Sequence, residues 1–192
     1  MLYTKREVRH ISVQYICLVV LLLLALKQDL KSYKIPNSII LIGYGLSLLF
    51  FCQKYEWTSI YKWAGGILIP ILILIPLFFI KALGAGDIKL FSVIGGFFGI
   101  AYVIEIIAIS FVFGAILSLV QLIRYKNLKV RLLVFTSYLK ELHLKTTTNN
   151  LEDFDFKYYD KKRDGKQGVI HFSAAIFLGF IFKMFALFLS NT

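Results

Sequence analysis

Four apolar runs of 16 to 21 residues set what this chain can become: Ile11 to Leu26, Ile35 to Cys52, Trp63 to Ile80 and Val169 to Leu189. Runs of that length match the ~20 residues a helix needs to cross ~30 Å of hydrocarbon. In that medium every backbone N–H and C=O must be paired within the segment, which leaves helices as the simple solution. A fifth stretch, Leu90 to Ile123, holds 34 residues with Glu105 as its one charge. As a single helix it would be ~51 Å long, too long for one crossing. Gly95, Gly96 and Gly99 offer places to break it, with a turn expected between Gly99 and Glu105. The expectation is an all-α, polytopic transmembrane bundle of about six spans, a single membrane-embedded domain over residues 1–192. Pro70 and Pro76 should kink the third span.

Composition agrees: 58% of the residues are hydrophobic and the mean hydropathy is +0.74. The net charge of +11 would suggest nucleic acid on a soluble protein. Here the basic residues flank apolar runs, so they read as topology signals and contacts to anionic lipid, with no nucleic acid partner. With six spans, the side bearing Asp29 and Asp87 carries 16 Lys and Arg and the other side 5. The positive-inside rule then places both aspartates at the cytoplasmic face of the plasma (inner) membrane. The basic segment 124–168 becomes a cytoplasmic loop. Its first part, 128–144, reads as a surface amphipathic helix and 146–168 as a polar stretch. The N-terminal basic residues and first run lack a small-x-small cleavage site and read as a retained span.

Asp87 stands out within this frame. Trp63 to Ile80 carries no charge, nor do the 15 residues after Lys89. An acid in such a setting is costly, and its default reading is functional. Asp29 lies at the end of the first run. Two carboxylates at one membrane boundary fit a hydrolase working through a shared-proton pair, one group ionised to activate water and one protonated to polarise a carbonyl. Asp29 is at the C-terminal end of its helix, where the dipole disfavours negative charge, and Asp87 begins the next helix, where it is favoured. That predicts the proton on Asp29 and the charge on Asp87. Gly84 and Gly86 should supply backbone conformations closed to other residues and let substrate backbone approach. Lys31, Lys34 and Lys89 should favour ionisation of the pair if they lie close.

Other polar residues read more plainly. Glu105 marks the outer turn, Lys183 is a snorkelling anchor, and His171 is an interfacial residue outside the site. Cys17 and Cys52 are packing residues. The three histidines and two cysteines show no ligand spacing, so no metal or other cofactor is expected.

The two acid-bearing segments together carry a resemblance. Asp29 followed by Ile35-Pro36-Asn37 after the first span, then Gly84-Ala85-Gly86-Asp87-Ile88-Lys89-Leu90 after the third, resembles the type IV prepilin peptidase and preflagellin peptidase family. These are membrane aspartic peptidases. The likeness covers about Leu22 to Ile123 well and the last span more loosely. It implies Asp29 and Asp87 as the catalytic pair; Gly84, Gly86 and Lys89, beside Asp87 in the sequence, are expected to bind substrate. It also implies the substrates: prepilin-like membrane proteins, with a basic leader ahead of an apolar helix, cut at the cytoplasmic face. Larger bacterial members add a cysteine-containing N-terminal domain and methylate the new N-terminus. This chain has about ten residues there and no such cysteines, so methylation is not expected. Relatives often begin the last span with a Pro/Gly-rich turn, where this chain has Ile170-His171-Phe172-Ser173.

Two other functions compete. A presenilin-like protease shares the Gly-x-Gly-Asp element but places its first aspartate inside a helix, unlike Asp29. A transporter would more often show matching halves with broken helices, and a scaffold has no need of both motifs.

Overall fold

The computed structural model describes residues 5–52, 57–124 and 171–190. Within them are six helices: α1 Lys5–Ser32, α2 Asn37–Cys52, α3 Trp57–Phe79, α4 Ala85–Phe98, α5 Ile100–Arg124 and α6 Phe172–Ser190. The expected helix at 128–144 and the polar stretch 146–168 lie outside the described residues. The chain divides into two compact units, Met1–Gly114 with His171–Thr192, and Ala115–Ile170. Both aspartates lie in the first.

The protein is all-helical over the described residues, and four helices are long and apolar enough to cross a membrane alone: α1, α3, α5 and α6. The expected count of about six is therefore slightly high. α2 has 16 residues and α4 has 14, which at 1.5 Å per residue is ~24 Å and ~21 Å. Large apolar side chains such as Ile16, Leu41, Leu72 and Val112 point outward, as lipid-facing positions should. α3 continues as one helix through both Pro70 and Pro76.

α4 can be short because other helices enclose it. It packs against α1, α2, α3 and α6, and from Ile88 to Phe97 every residue but Lys89 is buried. A seam of small residues permits this. The α3 and α4 backbones touch at Gly66 and Gly95, where a Cβ on either would lie about 2 Å from the other's carbonyl oxygen. On the α2 side, Gly43 receives Val93 and Gly96 receives Ser47. Close backbone approach through small residues is how helices gain packing energy where lipid supplies no hydrophobic drive.

The break in the long apolar stretch falls at Gly99. Its φ of 86° lies in the left-handed region that glycine adopts without strain, and its N–H donates to the Gly95 carbonyl at 2.7 Å. Glu105 is not in the turn. It sits inside α5 and pairs with Lys183 of α6. Lys183 is thus an ion-pair partner rather than a snorkelling anchor: a charge on an apolar helix is less costly with a counter-charge beside it.

Candidate active site

α1 stops just beyond Asp29. Tyr33 adopts a left-handed φ of 55° and its N–H donates to the Asp29 carbonyl at 2.8 Å. A non-glycine residue in that region costs about 1–3 kcal/mol, so packing must hold Tyr33 there. Its ring lies 4.9 Å from that of His171. Pro36 then precedes α2, and the α3–α4 link ends at Gly84, the N-cap of α4.

Here the two acid-bearing segments dock on each other. A Cβ on Gly86 would lie 3.2 Å from Ile35, so the isoleucine rests on the bare glycine backbone. Lys89 Nζ donates to Asn37 Oδ1 at 2.9 Å. Asp29 and Asp87 come close enough for the charge of one to act on the other. Three positions of the first segment, Asp29, Ile35 and Asn37, therefore meet three of the second, Asp87, Gly86 and Lys89.

Asp87 occupies the first turn of α4 and accepts a hydrogen bond from the Gly84 backbone N–H. Burial pushes its carboxyl up to about 7, the Asp29 charge pushes the same way, and the Gly84 bond only partly offsets them. The expectation from helix ends put the charge on Asp87, whereas burial favours the protonated form of that residue. A helix terminus contributes about 0.3–1 kcal/mol; burial of a carboxylate moves its equilibrium by several times that.

Asp29 meets donors that the helix-end argument could not see. Ser173 Oγ donates to its Oδ2 at 2.5 Å, and His171 Nδ1 lies 3.1 Å from the same oxygen. Both belong to the start of α6, where the Ala174 N–H donates back to the His171 carbonyl. The Asp29 and His171 side chains keep 14% and 18% of their surface, enough for water to reach and too little for bulk screening. His171 belongs to this cluster and not to a bare interface. One signal for it existed: His-x-Ser opens an otherwise apolar run whose start shares the side of both aspartates.

The remaining residues singled out from sequence fall as follows. Gly84 and Gly86 adopt no positive φ; Gly99 is the only glycine among the described residues that does. Their value is space: a Cβ on Gly84 would lie 3.0 Å from Asp87 Oδ2, and one on Gly86 would crowd Ile35. Lys89 is held by Asn37, tying α4 to α2. Cys17 packs against the core, whereas Cys52 is exposed. Among the described residues no cluster of three His, Cys, Asp or Glu could hold a metal. A cavity of about 680 Å³ opens at the far end of α4, between Gln14, Tyr15, Trp63, Phe98 and Gly99, and neither aspartate lines it.

A sequence profile of the Type IV leader peptidase family matches residues 16–119, more than half of the chain. The chain belongs to the type IV leader peptidase family. It is thus a membrane-embedded peptidase in general kind, in keeping with its four long apolar helices. Searches of curated proteins and of solved structures returned no match. The family match spans α1 to most of α5 and so takes in both docked segments; His171 and Ser173 fall beyond it.

Proposed function

We propose that this leader peptidase is an aspartic endopeptidase in which Asp29 and Asp87 are the catalytic pair. It removes the basic leader of prepilin-like precursors at the cytoplasmic face of the inner membrane. The observation that carries the reading is the approach of Asp29, from the last turn of α1, to Asp87, from the first turn of α4. Two carboxylates that feel each other's charge resist ionising together, which favours one proton on the pair.

Each then has a task. Ionised Asp29 takes a proton from water as the water oxygen bonds to the scissile carbonyl carbon. Asp87 gives its proton to the carbonyl oxygen, so no free oxyanion forms. In collapse, Asp29 returns its proton to the amide nitrogen, the C–N bond breaks, and Asp87 recovers a proton from the diol. A raised value on Asp87 suits the acid role, since a carboxyl protonated near neutrality can polarise a carbonyl there. Gly84 leaves the Asp87 carboxyl uncrowded, and Gly86 lets Ile35 pack against α4 beside it. The ends of α1, α4 and α6 meet at the pair, and the charge count of 16 against 5 favours the cytoplasm for that end. Placement of Asp29 in a last helical turn favours leader cleavage at the boundary over a presenilin-like cut within the bilayer.

The test uses purified full-length protein in lipid nanodiscs with a precursor that carries a basic leader and an apolar helix. Asp29→Asn and Asp87→Asn should each lower cleavage on the order of a thousandfold or more while the protein remains folded. A variant that still cleaves near the wild-type rate removes its residue from the pair.

A further inference from the structure

We propose that His171 and Ser173 are positioning residues of this reaction, holding Asp29 as the carboxylate that activates water and leaving the exchangeable proton to Asp87. The proposal rests on the aspartic reading above and adds to it two residues that lie outside the family match.

The two carboxylates stand in unlike surroundings. An isolated pair of carboxylates can carry the shared proton on either member, and only a difference in surroundings fixes which. Asp87 is half-buried, and its hydrogen bond on the α4 side comes from the Gly84 N–H. Asp29 Oδ2 receives Ser173 Oγ at 2.5 Å and faces His171 Nδ1 at 3.1 Å. A carboxylate oxygen that accepts two donors is held in the ionised role, since hydrogen bonds to the charged form favour it. The backbone adds to this: His171 is the residue before Phe172, so Asp29 faces the N-terminal end of α6, where the helix dipole welcomes negative charge. The C-terminal end of α1, which opposes charge on Asp29, is thus answered by the N-terminal end of α6.

The orientation of His171 is also built in. Its ring stacks on Tyr33 at 4.9 Å and 31°. Tyr33 keeps a left-handed backbone while its N–H bonds the carbonyl of Asp29 itself. The ring is thereby fixed with Nδ1 towards Oδ2; with Asp29 ionised, that places hydrogen on Nδ1. Ser173 is 2% exposed, so its hydroxyl has little solvent to compete for it and the bond to Asp29 is its natural partner.

Among the described residues the titratable groups placed around Asp29 are few. They are His171 from α6, Asp87 from α4, and Tyr33 of the α1–α2 link. Lys27, Lys31 and Lys34 are exposed, and Lys89 is engaged by Asn37. The low-pH limb of the rate, where the water-activating carboxylate takes up a proton, therefore depends on the two α6 donors.

The test is a cleavage pH profile of the full-length protein in nanodiscs, on the leader-bearing precursor, for Ser173→Ala, His171→Phe and His171→Asn. Phenylalanine keeps a ring against Tyr33 and removes the donor; asparagine restores an N–H near the Nδ1 position. Ser173→Ala and His171→Phe should each lower kcat about tenfold with KM unchanged, and move the low-pH limb up by about one pH unit. The high-pH limb, which belongs to Asp87, should stay in place. His171→Asn should recover most of the rate and the wild-type limb. Equal losses at every pH, or Phe and Asn variants that behave alike at matched thermal midpoints, would overturn the proposal. If Ser173→Ala does not fold, the comparison of Phe with Asn at one position decides alone. Asp29→Asn or Asp87→Asn enzymes that still cleave sink the aspartic reading itself. Inactive Asp variants beside wild-type profiles for Ser173→Ala and His171→Phe sink only the role of α6.

Discussion

Gly95→Ala should do damage far beyond the addition of one methyl group. A Cβ there would lie 1.9 Å from the Gly66 carbonyl oxygen and 2.7 Å from its carbon. Both atoms are backbone, so no side-chain rotation relieves the clash. Ordinary contact begins near 3.4 Å, so α3 and α4 must separate by about 1.5 Å at the crossing. Overpacking of that kind costs about 1–3 kcal/mol, with larger values where nothing can yield. The consequence for activity follows from what α4 carries. Asp87 lies two turns before Gly95 on the same helix, and a misplacement of about 1 Å can cost a hundredfold in rate. We therefore expect a lower thermal midpoint and a loss of cleavage of about tenfold to a hundredfold, with KM less affected. Gly45→Ala is the control. That position is an exposed part of α2 with nothing within 4 Å of a new Cβ, so it should be neutral or slightly stabilising. The assay pairs thermal unfolding in detergent with single-turnover cleavage. A Gly95→Ala protein with wild-type midpoint and rate would mean that the α3 and α4 backbones do not touch, and the account of how α4 is held would fail.

Cleavage should fall as pH rises through about 7, where Asp87 loses its proton; a rate that keeps rising to pH 9 would take the acid role from Asp87. Stability carries the same sign. The folded-state value lies above the ordinary 3.8, so the stabilisation is complete below about 4 and is lost as pH rises through about 7. Asp87→Asn should therefore melt higher than wild type at pH 8, and a lower midpoint there would contradict the burial argument. Lys89→Gln should leave the high-pH limb where it is, because Asn37 holds the ammonium; it should cost a modest amount of stability, and a shifted limb would show that Lys89 reaches the pair. Cysteine labelling in a Cys-free background should find positions 31 and 162 on the cytoplasmic side and position 54 outside, and labelling of 31 and 162 from opposite sides would refute the orientation.

Much of the architecture was legible in the residues alone. Apolar run length reports helix length because the bilayer imposes one span and one way to pair backbone groups. The break at Gly99 was legible because 34 apolar residues exceed one crossing and glycine marks where a chain can turn. The two acid-bearing segments were legible because charge inside apolar sequence stands out. All of these are properties of the chain read along its length. What tertiary structure decided are properties of who faces whom. Glycine roles moved from backbone freedom to backbone proximity, since Gly66 and Gly95 matter only because their helices cross at those points. Lys89 turned to Asn37 and Glu105 to Lys183, partners 52 and 78 positions away. The setting of Asp87, which favours its protonated form, was hidden for the same reason. Reasoning from helix ends uses only the aspartate's own helix, whereas desolvation and the partners His171 and Ser173 come from elements distant in sequence, and at short range in a partly buried site those outweigh one helix end.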